Sequence, residues 1–206
     1  MHARTTTVHG DPTAIDEGIA FLRDRVMPAV EGLPGYVGLS MLADRDSGRC
    51  IATTSWKDEA AMAGTGEQLR PLRARFAEVL GGSVELHSWE IAVVHRVHEA
   101  PDGACTRVTW TRTDPSRMAQ ALDAYRTGLL PRLEELDGFC SASLLVDPRE
   151  GRAAGSVTYA DRLTLERSRT DATAVDEEFA AAVDSEITEV AEFELVLAHL
   201  RVPETG

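Results

Sequence analysis

The chain has 206 residues, of which 43% are hydrophobic, and a formal net charge of −13 at pH 7. The single lysine, Lys57, and the scattered arginines form no large basic cluster, which argues against binding to nucleic acid or to an anionic membrane surface. No apolar run reaches the ~20 residues that a membrane-spanning helix needs, and the N-terminal segment lacks the apolar core of a signal peptide, so we expect a cytoplasmic protein.

The predicted elements of the first half begin with a strand at residues 4–9. Asp11 and Pro12 follow as the cap and first position of a helix, which should bend or end at Pro28 because proline lacks the backbone N–H. Two strands, at 36–43 and 49–56, flank a turn at 46–48. A second helical region spans 58–80, and the half closes with an apolar strand at 88–96.

The second half repeats this order after 103 residues. Among the residues that match at this offset are four pairs: Pro28 and Pro131, Gly35 and Gly138, Trp56 and Tyr159, and Phe76 and Phe179. We predict a tandem duplication, with a first repeat at residues 1–97, a linker at 98–104 and a second repeat at 105–206. Each repeat has the strand, helix, strand, strand, helix, strand order of a ferredoxin-like βαββαβ unit, so the expected fold class is α+β.

Cysteine and histidine usage gives no sign of a metal site. The three cysteines, Cys50, Cys105 and Cys140, are odd in number and lie in no CxxC spacing, so neither a disulfide framework nor a zinc site is expected. His95 and His199 recur at matching ends of the last strand of each repeat, but no second ligand lies at a recognisable spacing. We therefore predict no metal and no cofactor.

The turn at Asp46-Ser47-Gly48 sets the expected strand register. A three-residue turn would pair Ser40 with Thr54, and opposed residues share a face of the sheet. Small side chains and aromatic side chains would then line one face together, which favours a ligand pocket with rigid walls; the alternative is that helix side chains fill this space. The predicted pocket residues are Tyr36, Gly38, Ser40, Thr54 and Trp56 in the first repeat, and Phe139, Ser141 and Tyr159 in the second.

Glu90 and Glu194 occupy otherwise apolar strands, where an unpaired carboxylate would be costly. Because the last strand of a ferredoxin-like sheet runs antiparallel to the first, we hypothesise a His9–Glu90 pair that moves a proton near neutral pH. By the same argument, Arg112 and Glu194 would form a fixed ion pair. The alternative is that both pairs are ordinary structural salt bridges.

The basic residues of the second helical region are Arg70, Arg73 and Arg75. We interpret them as a small solvated patch.

Two segments resemble a known family. Pro28 is followed by Pro34-Gly35-Tyr36, with Pro131 and Asp137-Gly138-Phe139 as its counterpart, and Trp56-x-Asp58-x-x-Ala61 follows the third strand. Together with the twofold order of elements, these segments resemble the antibiotic biosynthesis monooxygenase superfamily of dimeric α+β barrels, over both halves of the chain. The resemblance implies two ferredoxin-like repeats that form a fused dimeric α+β barrel.

The resemblance also implies a cofactor-independent monooxygenase acting on a small hydroxylated aromatic molecule of the polyketide type. In that case Trp56 would form a wall and donate its N–H, Tyr36 would hydrogen-bond a phenol, and His9 or Glu90 would take the proton. Superfamily members with established oxygenase chemistry use an asparagine, and this chain contains none.

The alternative function is a non-catalytic protein of the same fold that binds a small molecule or interacts with a partner. Haem degradation is not expected, because residues 63–67 read Ala-Gly-Thr-Gly-Glu where the resemblance would place an iron-ligating histidine. We expect a small hydrophobic or aromatic ligand, no nucleic acid and no membrane partner. The chain would be a monomer that forms a pseudo-dimer, or a homodimer.

Overall fold

The computed structural model describes residues 1–200 and 203–204. These residues form two compact units, one of Met1–Glu90 with the end of the last strand from Phe193 onward, and one of Ile91–Glu192. Residues 201, 202, 205 and 206, which the predicted second repeat includes, lie outside the described residues. Within the described part, no helix is both long and apolar enough to cross a bilayer.

The first unit contains four strands and a series of helices in chain order. They are β1 (His2–His9), a 3-10 turn (Pro12–Ala14), α1 (Ile15–Phe21), a π-helical turn (Leu22–Val26), α2 (Met27–Glu31), β2 (Tyr36–Asp44), β3 (Arg49–Trp56), α3 (Glu59–Gly64), α4 (Gly66–Leu80) and β4 (Val84–Arg96), which continues into the second unit. In the antiparallel sheet of this unit, β1 pairs with β3 and β4, and β2 pairs with β3 and with the end of the last strand of the chain.

The second unit has the same order of strands, and a single long helix stands where the first unit has α3 and α4. Its elements are β5 (Cys105–Arg112), a 3-10 turn (Pro115–Arg117), α5 (Met118–Ala124), a π-helical turn (Tyr125–Leu129), α6 (Leu130–Glu134), β6 (Phe139–Asp147), β7 (Arg152–Tyr159), α7 (Arg162–Ala182) and β8 (Glu186–Leu200), whose end belongs to the first unit. Here β7 pairs antiparallel with β5 and β6. The matching order of elements supports the proposed duplication.

The hydrogen-bonded order of the eight strands is β1-β3-β2-β8-β5-β7-β6-β4, and this order closes into a barrel. The predicted α+β barrel class is therefore confirmed. Each unit has its own core, built from the helix-covered face of its strands. The first core contains, among others, Val8, Ile15, Leu22, Leu39, Met41 and Phe76, and the second contains, among others, Met118, Tyr125, Leu133, Leu144, Tyr159 and Leu165.

Of the two outcomes expected at Pro28, a bend or an end of the first helix, the end does not occur. The helix continues to Glu31, and a π-helical turn precedes the proline, in which the Met27 N–H bonds to the carbonyl of Leu22, five residues back. Proline cannot donate to the residue four back, and a local five-residue turn is a common way for a helix to absorb such a break. The second unit has the same turn before Pro131.

The expected caps of the helices are present. Asp11 and Asp114 accept backbone hydrogen bonds from Thr13 and Ser116, both at 2.8 Å. These contacts, with the hydroxyl bonds from the same residues, lower the pKa of both carboxyl groups. The carboxylate at an N-cap also lies at the positive end of the helix dipole.

The register of β2 and β3 differs by one residue from the prediction. Ser40 lies opposite Thr53 and Leu39 lies opposite Thr54, because the turn has four residues between Asp44 and Arg49 rather than three. An irregularity between Tyr36 and Gly38 also shifts the start of β2. A shift of one residue moves a side chain to the opposite face of a sheet.

The turn before β3 generates a prediction about stability. Gly48 has φ +76°, and a Cβ added there would lie 2.2 Å from the Gly10 carbonyl oxygen, whereas Gly32 has φ −86° and nothing within 4 Å. We expect Gly48→Ala to lower the free energy of unfolding by about 2 kcal/mol or more, from left-handed strain and the clash. Gly32→Ala should leave it unchanged or raise it by up to ~1 kcal/mol.

Urea unfolding followed by tryptophan fluorescence would measure both variants. Equal stability of the two variants would contradict the assigned turn conformation.

Candidate functional site

The candidate site lies on the helix-covered face of the sheet in the first unit. Two adjacent rows of side chains cross this face from β4 through β1 and β3 to β2. The first row is Glu90, His2, Trp56 and Tyr36, and the second is Ser88, Arg4, Thr54 and Leu39. Glu90 and Ser88, at the β4 ends of these rows, are exposed to solvent. Of the predicted residues, the structure thus brings Glu90, Trp56 and Tyr36 into one row, with Thr54 beside them.

A cleft opens between this face and the helices above it. Its floor is formed by the strand residues Arg4, Thr6, Leu39, Ala52 and Thr54, and its walls by the helix residues Leu22, Val26, Val30, Leu69, Leu72, Arg73 and Phe76. The centres of water-sized spheres can occupy a volume of about 40 Å³ inside it. All the empty space of the cleft, including the solvent in its open mouth, amounts to about 440 Å³. One water needs ~10–15 Å³ of the first measure, so the enclosed part of the cleft has room for about three waters and is well below the ~300–1,000 Å³ of typical small-molecule pockets.

Trp56 forms a buried end wall beside the cleft. It is 1% exposed and packs with Val30 and Leu69, and its ring and that of Tyr36 meet edge to face with the centroids 6.0 Å apart. Its Nε1–H donates to Thr54 Oγ1 at 3.1 Å, and the Thr54 hydroxyl donates to the Arg4 carbonyl oxygen at 3.4 Å. The indole N–H that the sequence suggested for the substrate is therefore engaged by Thr54.

Two arginines, Arg4 and Arg73, face the otherwise apolar cleft. Arg4 Nη1 donates to the Met62 carbonyl oxygen at 3.4 Å, and Arg73 Nη2 donates to the Gly66 carbonyl oxygen at 2.5 Å. Among residues 1–200 and 203–204, neither guanidinium has a carboxylate within salt-bridge distance.

The pKa of each of these arginines reflects this environment. Burial lowers the pKa of both Arg4 and Arg73, and the positive charge of Arg4 lowers the pKa of Arg73 further. Glu67 opposes the second shift, but it is exposed and pairs with Arg70 at 3.3 Å. The two cations are thus close enough to repel each other in a partly desolvated place.

The interpretation of Arg73 as part of a solvated patch is wrong. It lies four residues after Leu69 and three before Phe76, so its side chain falls on the apolar, cleft-facing side of α4. Arg70 and Arg75 pair instead with Glu67 and Glu78 on the exposed side of the helix. The signal in the sequence was the helical spacing of an arginine with buried apolar residues.

The equivalent place in the second unit has a different charge balance. At the offset of 103 residues, Arg107 corresponds to Arg4 and Asp176 to Arg73. Arg107 Nε lies 3.7 Å from Asp176 Oδ2, its Nη1 lies 3.8 Å from Glu192, and its Nη2 donates to Thr173 at 2.9 Å. Arg107 is 6% exposed, so this cation is buried among groups of the protein itself.

Two buried tyrosines accompany this ion pair. Tyr125 stands where the first unit has Leu22, and Tyr159 where it has Trp56. Within the described part of the chain, neither hydroxyl has a hydrogen-bond partner. Burial raises the pKa of both phenols, and the negative charge of Asp176 adds to the shift. The edge of the Tyr125 ring packs against Phe179, with the ring centroids 6.1 Å apart.

The predicted pocket face is wrong at several positions. Gly38 and Ser40 lie on the opposite face of the sheet from Thr54 and Trp56, because of the four-residue turn and the irregularity in β2. Ser141 is likewise opposite Thr158, on the other face from the pair of Phe139 and Tyr159. Only the aromatic members of the predicted second-repeat pocket therefore share the helix-covered face, and both are buried in its core.

The hypothesised His9–Glu90 pair is also wrong. His9 lies opposite Arg49 and Glu90 lies opposite His2, which is at the other end of β1. At ~3.3 Å per residue these positions are roughly 23 Å apart along the strand. The reason is that β4 starts at Val84, opposite Val8, before the predicted start of this strand. His2 is the histidine that faces Glu90 across the strands.

The other hypothesised charge pair has different partners in the structure. Glu194 pairs with Arg45 Nε at 2.7 Å, and Arg112 lies opposite Arg152 in the sheet.

The two strand-end histidines each contact a helix. His95 Nε2 lies 3.0 Å from Glu134, and His199 Nδ1 lies 3.6 Å from Glu31. Among residues 1–200 and 203–204, no three His, Cys, Asp or Glu side chains cluster as metal ligands would.

The buried ion pair of the second unit predicts a pH dependence. Burial raises the pKa of Asp176 above its ordinary 3.8, and the hydrogen bond from Thr109 and the charge of Arg107 only partly oppose this. The folded protein therefore holds this proton more tightly than the unfolded chain, so the contribution of Asp176 to the free energy of unfolding grows as pH falls and is lost as pH rises through the folded pKa.

The comparison of wild type with Asp176→Asn, which cannot titrate there, would reveal this contribution. The free energy of unfolding of wild type minus that of the variant should increase from neutral pH down to about pH 4. Urea titrations at several pH values would measure the difference. A difference that stays constant or decreases toward acid pH would contradict the buried position of this carboxyl group.

Comparison with known proteins gives close relatives and a shared fold. No family model matches the chain. The chain is 46% identical over 204 residues to the uncharacterized protein Rv2557 of Mycobacterium tuberculosis strain H37Rv, covering 99% of this chain and 91% of that protein. It is 45% identical over 205 residues to the uncharacterized protein Rv2558 of the same strain, covering 99% and 87%.

Solved structures show the same fold at low sequence identity. A putative monooxygenase from Lactobacillus acidophilus aligns with a TM-score of 0.68 at 10% identity, over 97% of this chain and 96% of that chain. An anthrone oxidase-like protein aligns with a TM-score of 0.66 at 16% identity, over 97% and 91%. The chain belongs to the same family as Rv2557 and Rv2558, and it shares its α+β barrel fold with that putative monooxygenase and that anthrone oxidase-like protein.

Proposed function

We propose that the chain is a cofactor-independent monooxygenase that oxidises a small hydroxylated aromatic molecule in the cleft of the first unit. The observation that carries the proposal is the composition of the cleft, in which apolar helix side chains cover a floor that holds Thr54, Arg4 and, nearby, Trp56. The fold shared with a putative monooxygenase and an anthrone oxidase-like protein supports the reaction type.

The proposed reaction needs no flavin or metal, because the substrate supplies the electrons. An anthrone-like ring loses a proton from its CH₂ group, and the resulting anion reacts with O₂. The CH₂ group becomes C=O and one water is released, so one O₂ is consumed for each product. The protein has to hold the ring, stabilise the anion and accept the proton.

The residues of the first unit divide these tasks. Leu22, Leu69 and Phe76 would pack on the ring and keep water away from it, and Arg4 would stabilise the negative oxygen of the anion. Glu90 is the proposed proton acceptor, because it lies one row from Arg4 on the same face of the sheet.

The predicted catalytic and binding residues have unequal support. Trp56 acts in this proposal as a wall that orients the Thr54 hydroxyl, and Tyr36 packs behind it. His9 lies at the far end of β1 and has no part in the proposal.

A second candidate function is a non-catalytic protein that binds a small molecule. The observation in its favour is that none of the side chains lining the cleft is a His, Asp, Glu, Cys or Tyr, so the cleft itself contains no general base. Glu90 would have to act from the adjoining row. The two candidates therefore predict the same ligand position and differ in whether O₂ is consumed.

Oxygen uptake by metal-free protein with anthrone-like and naphthol-like substrates would test the proposal. We expect one O₂ consumed per quinone formed, without added flavin or metal. Glu90→Gln should lower kcat by about 100-fold or more with little change in KM, since it removes the proton acceptor and leaves the cleft intact. Leu22→Tyr, which copies the second unit, should raise KM by filling the cleft.

The matched control is His9→Ala, which should retain wild-type kinetics. Absence of uptake across the panel, while the same molecules bind, would establish the binding protein instead. Full activity in Glu90→Gln would show that another group accepts the proton.

A further inference from the structure

The pair of arginines in the first unit points to the charge of the ligand. We propose that Arg4 and Arg73 recognise a carboxylate group on an otherwise apolar ligand, and that each chain binds one such ligand, in the first unit. The inference deepens the proposed function and rests on it only in placing the ligand in the same cleft. It concerns recognition and involves no chemical step.

The first argument is the unbalanced positive charge of the cleft. An arginine side chain stays protonated even when partly buried, and it carries five N–H donors. Arg4 and Arg73 each donate to one backbone carbonyl, which leaves further donors on both groups. Two cations in a partly desolvated place repel each other, and an anion bound between them would turn this repulsion into attraction.

The second argument is the contrast between the two units. Where the first unit has Arg73, the second has Asp176, and this carboxylate lies 3.7 Å from Arg107, the counterpart of Arg4. The second unit thus supplies from its own helix the carboxylate that the first unit lacks. In the second unit, a carboxylate of the protein therefore already lies beside the arginine. In the first unit, the carboxylate of the ligand would take the corresponding place.

The third argument is the chemistry of the remaining lining. The side chains around the two arginines are hydrocarbon except for the hydroxyls of Thr6 and Thr54. Such a lining accepts an aliphatic or aromatic body and leaves one end for a planar anion, which a guanidinium group binds through parallel hydrogen bonds.

Calorimetric titration with three naphthalene compounds would test the inference. The compounds are 2-naphthoate, 2-naphthol and 2-naphthyl phosphate, which share the ring and differ in the attached group. We expect 2-naphthoate to bind at one site per chain, at least ~10-fold more tightly than neutral 2-naphthol at pH 7, as charge-assisted hydrogen bonds require. Equal affinity for the acid and the phenol, or two sites per chain, would overturn the inference. Tighter binding of the phosphate would overturn the choice of carboxylate.

Variants of the arginines would assign the binding to this site. Arg73→Asp copies the second unit and should reduce 2-naphthoate affinity by about 100-fold or more, while Arg4→Gln and Arg73→Gln should each reduce it by about 10-fold. The affinity for 2-naphthol should change little in Arg73→Asp and Arg73→Gln. The matched control is Arg75→Gln, which removes an exposed arginine of the same helix that pairs with Glu78.

Unfolding curves and the retained binding of 2-naphthol would show that the variants still fold. Unchanged 2-naphthoate affinity in Arg73→Asp would overturn the inference. Tight 2-naphthoate binding without oxygen uptake by any substrate would support the inference and contradict the oxygenase. Oxygen uptake on neutral phenols, together with equal 2-naphthoate affinity in wild type and Arg73→Gln, would do the reverse.

Discussion

The missing backbone N–H of one proline shapes the helix that covers the candidate site. Pro28 cannot donate to the carbonyl four residues back, and the chain responds with a π-helical turn that begins at Leu22. The helix therefore continues over the sheet instead of ending, and Leu22, Val26 and Val30 all line the cleft. The second unit has the same turn before its own proline, Pro131. Because both units share this backbone device, the differences between their sites come from side chains and from the second helical region, which is broken into α3 and α4 in the first unit and is the single helix α7 in the second.

The most consequential of these side-chain differences is the balance of buried charge. A buried cation is stable when an anion and hydrogen-bond acceptors surround it, and Arg107 has both in Asp176, Glu192 and Thr173. In the first unit, the position on the helix that matches Asp176 is Arg73, so two positive charges, those of Arg4 and Arg73, face an open cleft. Repulsion between the two arginines lowers the folding stability of the ligand-free protein. Binding sites commonly reduce the stability of a protein in this way, because their groups are arranged for a ligand rather than for each other. A carboxylate from outside would restore the balance that the second unit has built in.

The fold could be predicted from the sequence much further than the site. The Asp-Pro caps, the glycine turns and the repeated apolar spacing are local signals, and together they determined the order of strands and helices. The faces of the strands could not be predicted, because a four-residue turn before Arg49 and an irregularity after Tyr36 each shift the register by one residue. The partner of Glu90 depended on where β4 begins, which no nearby residue specifies. Arg73 was visible at helical spacing with Leu69, but its meaning required the neighbouring strand that carries Arg4.

The repeat itself gives the strongest argument about function, since each unit serves as a control for the other. If the arginine pair served only to hold strand and helix together, an acid at one of the two positions would do so better, as the second unit demonstrates with Asp176 and Arg107. Retaining two cations there makes physical sense when a third, negative group completes the arrangement. The volumes of the side chains also differ between the units. Tyr125 adds a buried ring to the second unit at the position where the smaller Leu22 lines the cleft of the first. Charge and volume thus both support the proposal that the ligand binds in the first unit.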